Sequence, residues 1–140
     1  MLLLHYQELL HLILGDYLAK DKEFQKAIEH YQTATKINPM NSTAYAEIGG
    51  IYGFELNKYK EGIKYFKKAI SISPEISNYH FDLGLFYSIL KQHDNAVSEY
   101  KNSININPND SEAHNFLGEE YVNLIKYQQD LAQNLIIWTN

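Results

Sequence analysis

The side chains best able to do chemistry in this chain are its six histidines and seventeen carboxylates, set in a sequence without cysteine. His11, His80 and His114 each stand four residues before a glycine, Gly15, Gly84 and Gly118. Glu119 and Glu120 are neighbours in sequence and point to different sides of a helix, so they make no acid–base pair. Gly49-Gly50-Ile51-Tyr52-Gly53 has the glycine density of a phosphate cradle. It lacks the closing Gly-Lys-Ser/Thr, however, and its apolar spacing is helical, which leaves its N–H groups already used. No His-Glu-x-x-His and no Gly-x-Ser-x-Gly occurs, and the absence of cysteine removes thiolate nucleophiles and sulfur metal sites. The sequence predicts no catalysis, no cofactor and no metal.

Composition narrows the partners. The formal net charge is −5, and all twelve basic residues are lysine. Phosphate neutralisation and guanine readout lean on arginine, so a nucleic-acid partner is not expected. No polybasic patch or long apolar run suits a membrane. The opening MLLLHYQELLHLILGD resembles a signal peptide only in its apolarity, because it has no positive start, carries Glu8 in mid-run and has no small-residue cleavage site. The expected location is cytoplasmic. The sequons at Asn41 and Asn109 carry little weight without a secretion signal.

The elements that must hold these residues repeat. The only prolines, Pro39, Pro74 and Pro108, are 35 and 34 residues apart and end similar phrases, ATKINP, AISISP and SININP. Tyr31 and Tyr100 follow Gly15 and Gly84 by 16 residues, and Phe66 follows Gly49 by 17, the extra residue being assigned to the turn FELNKY. Small residues stand four before each aromatic (Ala27, Gly62, Ala96) and three after it (Ala34, Ala69, Ser103). Each unit therefore reads as two amphipathic helices joined by a short turn, with proline at the exit.

This pattern resembles the tetratricopeptide repeat, whose units carry Leu-Gly, Tyr, Ala, aromatic and Pro at a 34-residue period. The resemblance implies an all-α, right-handed superhelical solenoid of antiparallel helix pairs within one domain, 1–140. Its full units would be 8–41, 42–76 and 77–110, with 111–140 a partial fourth unit or capping helix. The fourth fits through Leu117, Gly118 and Tyr121, then departs at Asp130, Asn134 and Ile137. Equivalent histidines of stacked units would lie about 10 Å apart, too far to share a metal, so they read as structural. His5 and His93 read as solvated.

The resemblance also implies a concave face lined by the first helix of each unit, at positions spaced three, four and three apart. Carried over, the lining includes Asp16 in unit one and Thr43, Ala46, Gly50 and Gly53 in unit two. Unit three gives Asn78, Phe81 and Leu85, and unit four Asn115 and Glu119. Some members of the family grip acidic chaperone tails with lysines, arginines and asparagines. Here Asp16 and Glu119 would repel such a tail, so the expected partner is a protein or peptide that is apolar, neutral or basic.

Gly50 and Gly53 sharpen that expectation. Two interior glycines give up about 2 kcal/mol of helix stability, and a ligand approaching closely over Thr43, Ala46, Gly50 and Gly53 would explain them. The competing explanation is tighter curvature between units. The leading function is a non-enzymatic module or scaffold that binds a peptide in its groove. Two alternatives stand beside it: homo-oligomers formed by stacking through the apolar first turn or the last helix, and the interaction region of a larger multidomain protein.

Overall fold

A computed structural model describes residues 1–139, which form seven helices and, among the described residues, no strand. Helices α1 (Leu2–Lys20) and α2 (Phe24–Ile37) make the first pair, and α5 (Ser77–Ile89) and α6 (His93–Ile106) the third. Between them α3 (Ser42–Gly50) runs into a π-helical stretch, Ile51–Glu55, and pairs with α4 (Tyr59–Ile72). A single long helix, α7 (Ser111–Thr139), follows. Among the described residues no helix is long and apolar enough to cross a membrane.

The turn inside each pair is built the same way. Lys22, Asn57 and Lys91 take left-handed backbone with φ of 61°, 54° and 58°, and the next helix starts two residues later each time. Glu23 N donates back to Leu18 O at 2.8 Å, and Gln92 N to Tyr87 O at 2.8 Å, closing the preceding helix. Between units the chain leaves through proline, and the next helix is capped by a side chain. Asn41 Oδ1 accepts from Ala44 N at 2.9 Å, and Asp110 Oδ1 from Ala113 N at 3.1 Å. Helix α5 has no side-chain cap, and His80 Nε2 ties its first turn to the preceding loop by donating to Pro74 O at 3.0 Å.

The extra residue of unit two lies in the helix, not in the turn where the sequence had placed it. The turn at Asn57 matches the other two, and the added residue widens Ile51–Glu55 into π geometry. That local swelling carries Gly53 against the next unit.

Aromatics fill the space between helices. Tyr31, Phe66 and Tyr100 are buried against Gly15, Gly49 and Gly84, where a Cβ would lie 2.7, 3.0 and 2.7 Å from the rings. Phe86, fully buried, meets Phe54, Tyr59 and Phe66 at ring separations of 4.9, 5.7 and 5.5 Å and so locks unit three onto unit two. Glu8, buried in α1, accepts from Asn38 Nδ2 and Asn41 Nδ2 at 2.8 and 2.7 Å and ties the first helix to the next loop.

Unit four departs most from expectation. Its second half does not fold back, and from Ile125 every described residue is exposed. The apolar side chains of Leu131, Leu135 and Trp138 are all exposed. Ile125 explains this. It stands seven residues after Gly118, as Lys22 and Lys91 do after Gly15 and Gly84, and a β-branched residue resists the left-handed backbone that the turn requires.

Candidate functional site

The first helices of units two and three enclose a cleft of about 300 Å³ lined by Ala46, Glu47, Gly50, Phe54, Phe66, Asn78, Tyr79 and Asp82. A second cleft of about 240 Å³ shares Glu47, Gly50 and Phe54 with it and reaches Ala19 and Phe24 of unit one. The two clefts are taken together as the groove, with open space over Gly50. A Cβ there would meet only Phe54 Cδ2, at 3.8 Å.

Of the predicted lining, Ala46, Gly50 and Asn78 come together in the groove. Thr43 and Asn115 are exposed but do not line the groove, and Glu119 borders a separate depression with Gly118 and Val122. Leu85 is half-buried against the core of units two to four. Two expectations fail. Gly53 is buried, and its Cβ would lie within 2.6 Å of Phe86 Cε1, so the missing side chain makes room for Phe86 and not for a ligand. Phe81 is half-buried with Phe116 and Tyr100, at ring separations of 5.6 and 5.7 Å, and cements unit three to α7.

Both misplacements share one cause. Steps of three, four and three keep a helical face, but so do steps of four, three and four, centred about 50° away. The second register brings in Glu47 and Phe54 from unit two and Asp82 from unit three, which the sequence reading missed. Burial, which separates the two registers, is not written in the spacing.

The groove is acidic. Asp82 is pushed up to about 6 by partial burial and by the charge of Glu112. Glu47 is raised by loss of water and by Asp16. Asp16 accepts from Tyr31 Oη at 2.6 Å, and burial and that carboxylate hold the Tyr31 phenol above its usual range. Carboxylates of adjacent units therefore face one another along the groove, where a cation would relieve them.

The histidines are tied into the fold. His11 and His30 share a hydrogen bond between their Nδ1 atoms at 2.8 Å, and His114 Nε2 donates to Pro108 O at 2.9 Å, as His80 does to Pro74. His80 Nδ1 also shares a hydrogen bond with Glu99 Oε2 at 2.7 Å. His93, expected to be solvated, instead donates from Nδ1 to Oε2 of the buried Glu120 at 2.6 Å, while Ser88 Oγ donates to Oε1. Among the described residues no three histidines or acids converge as metal ligands.

Comparison with known proteins places this geometry. A family model described as a TPR repeat matches residues 15–53, and one described as a tetratricopeptide repeat matches 42–76 and 77–110. Hsp70-Hsp90 organizing protein 1 of Glycine max is 30% identical over 86 residues, 61% of this chain and 15% of that protein. Superkiller protein 3 of Schizosaccharomyces pombe is 26% identical over 116 residues, 83% of this chain and 8% of that protein. The chain thus spans a small part of the length of these relatives. Among solved structures, the first TPR of Spaghetti (RPAP3) bound to the HSP90 peptide SRMEEVD superposes with a TM-score of 0.80 at 20% identity, covering 86% of this chain and 94% of that one. The second TPR domain of human RPAP3, in complex with the HSP70 peptide SGPTIEEVD, gives 0.78 at 20% identity over 84% and 98%. The chain belongs to the tetratricopeptide repeat family.

Proposed function

We propose that the chain is a non-enzymatic binding module that takes a neutral or basic, partly apolar protein segment into the groove between units two and three. Membership of a repeat family whose solved relatives hold peptides supports the general role. The observation that carries the charge preference is that Glu47 and Asp82 line the same cleft as Gly50 and Phe54. Phe54, 49% exposed, offers an apolar platform, and the open surface at Gly50 admits a close approach. A lysine or arginine of the bound segment would sit between the carboxylates.

The peptides held by the two RPAP3 domains end in Glu-Glu-Val-Asp. In this groove such a tail would meet carboxylates. Fluorescence anisotropy with a labelled peptide ending in Glu-Glu-Val-Asp, and with one of equal length carrying lysine beside leucine, tests the reading. Saturable binding of the lysine peptide, lost in Glu47→Lys/Asp82→Lys, is expected. Tight binding of the acidic peptide to the unaltered chain would overturn it.

A further inference from the structure

Packing does not account for the pair His11 and His30. They face each other from α1 and α2 through Nδ1 atoms 2.8 Å apart, with ring centroids at 5.1 Å, and both are half-buried. Unlike the equivalent histidines of successive units, they are partners across one helix pair. The other units show what the same slot can hold. His80 stands four residues before Gly84 and Glu99 one before Tyr100, as His11 and His30 stand to Gly15 and Tyr31. There the imidazole meets a carboxylate, His80 Nδ1 lying 2.7 Å from Glu99 Oε2. Unit two carries Tyr45 and Tyr65 at the two positions. The fold therefore does not call for two imidazoles in this slot.

As a structural pair two imidazoles are the weaker choice. A carboxylate takes a charge-assisted bond from an imidazole, whereas two neutral imidazoles make one uncharged N–H···N bond and two protonated ones repel. What a pair of imidazoles does better is ligate a transition metal. Two nitrogens at about 2.0–2.1 Å from one ion stand about 2.9–3.4 Å apart, from a right angle to a tetrahedral one. The observed spacing lies just under that range. Each ring has to turn by about 40° to aim its lone pair at a common ion, which the soft terminal torsion of histidine allows. The proton bridging the pair passes to Nε2 of its own ring, so two neutral imidazoles bind with both Nδ1 lone pairs and no net proton release.

A cleft of about 200 Å³ lined by His11, Glu29, His30 and Thr33 opens beside the pair. It has room for several waters, and Glu29 adds a negative charge to its wall. Among the described residues no third histidine or acid converges on the two rings, so the remaining coordination positions fall to water.

We propose that His11 and His30 bind one divalent transition-metal ion through Nδ1, clipping α1 to α2. Copper(II) binds ahead of nickel(II) and zinc(II), and magnesium, which takes oxygen ligands, does not bind there.

Titration calorimetry of the tag-free chain with nickel(II) and zinc(II) chloride at neutral pH tests this. One ion per chain with micromolar affinity is expected, and saturating nickel should raise the melting temperature. His11→Gln and His30→Gln should each weaken binding tenfold or more, with circular dichroism showing the helices retained. His5→Gln and His114→Gln should leave it unchanged, and magnesium chloride should not compete. In nitrogen-15 spectra of the unaltered chain, zinc should shift the Nδ1 signals of His11 and His30 together, which a purely structural pair would not show. No saturable binding, an affinity indifferent to both His11→Gln and His30→Gln, or zinc shifts confined to other histidines would each overturn the proposal.

Discussion

Two tyrosines in equivalent places separate packing from hydrogen bonding in this fold. Both rings cover a glycine, but Tyr31 Oη donates to Asp16, whereas Tyr100 Oη is buried without a partner. The residue after each glycine makes the difference: Asp16 in unit one, Leu85 in unit three. Tyr31→Phe should therefore destabilise the chain by about 1 kcal/mol in urea unfolding, and Tyr100→Phe should be neutral or stabilising. The glycines of unit two split in the same manner. Gly53→Ala forces a methyl group into the Phe86 ring, which is walled in by Phe54, Tyr59 and Phe66 and cannot retreat. It should cost about 1–3 kcal/mol, while Gly50→Ala, in open space, should stabilise by up to about 1 kcal/mol. Equal effects of the two substitutions would contradict this packing.

At the scale of elements, the helix pairs were legible because glycine, aromatic and proline recur at fixed offsets, and each offset has a packing consequence that the structure displays. Three features were not. The π-helical stretch Ile51–Glu55 adds a residue without altering any apolar period, so the spacing of Gly49 and Phe66 was compatible with an enlarged turn as well. The groove register depends on which of two overlapping stripes is buried, which only the neighbouring unit decides. The continuity of α7 turned on Ile125, whose meaning emerges once Lys22, Asn57 and Lys91 are seen with positive φ. The junction of α7 with unit three rests on Glu120, which sits between Ser88 and His93 and is 1% exposed. Glu120→Ala leaves two polar groups facing a void. It should cost about 2–4 kcal/mol and loosen α7 first, visible as faster amide exchange in residues 111–124 than in α5.

Across the whole molecule, the carboxylates lining the groove couple folding to pH. Asp82 is held near 6 by partial burial and by Glu112, above the 3.8 of an unperturbed aspartate. Between these two values the folded chain keeps a proton that the unfolded chain has lost. The Asp82 contribution to stability is therefore fully present below about pH 4, shrinks as pH rises toward 6, and leaves an ionised, poorly hydrated carboxylate at neutral pH. Asp82→Asn should raise stability at pH 7 by about 1–2 kcal/mol, with the gain disappearing below pH 4. Binding runs the opposite way. A lysine entering the groove favours the ionised acid, so affinity for a basic segment should climb from pH 5 to pH 7 with release of a proton, and Asp82→Asn should flatten the climb. Titration calorimetry in two buffers of different ionisation enthalpy measures that proton directly. A groove that binds the lysine peptide equally at pH 5 and pH 7 would mean that Asp82 takes no part in recognition.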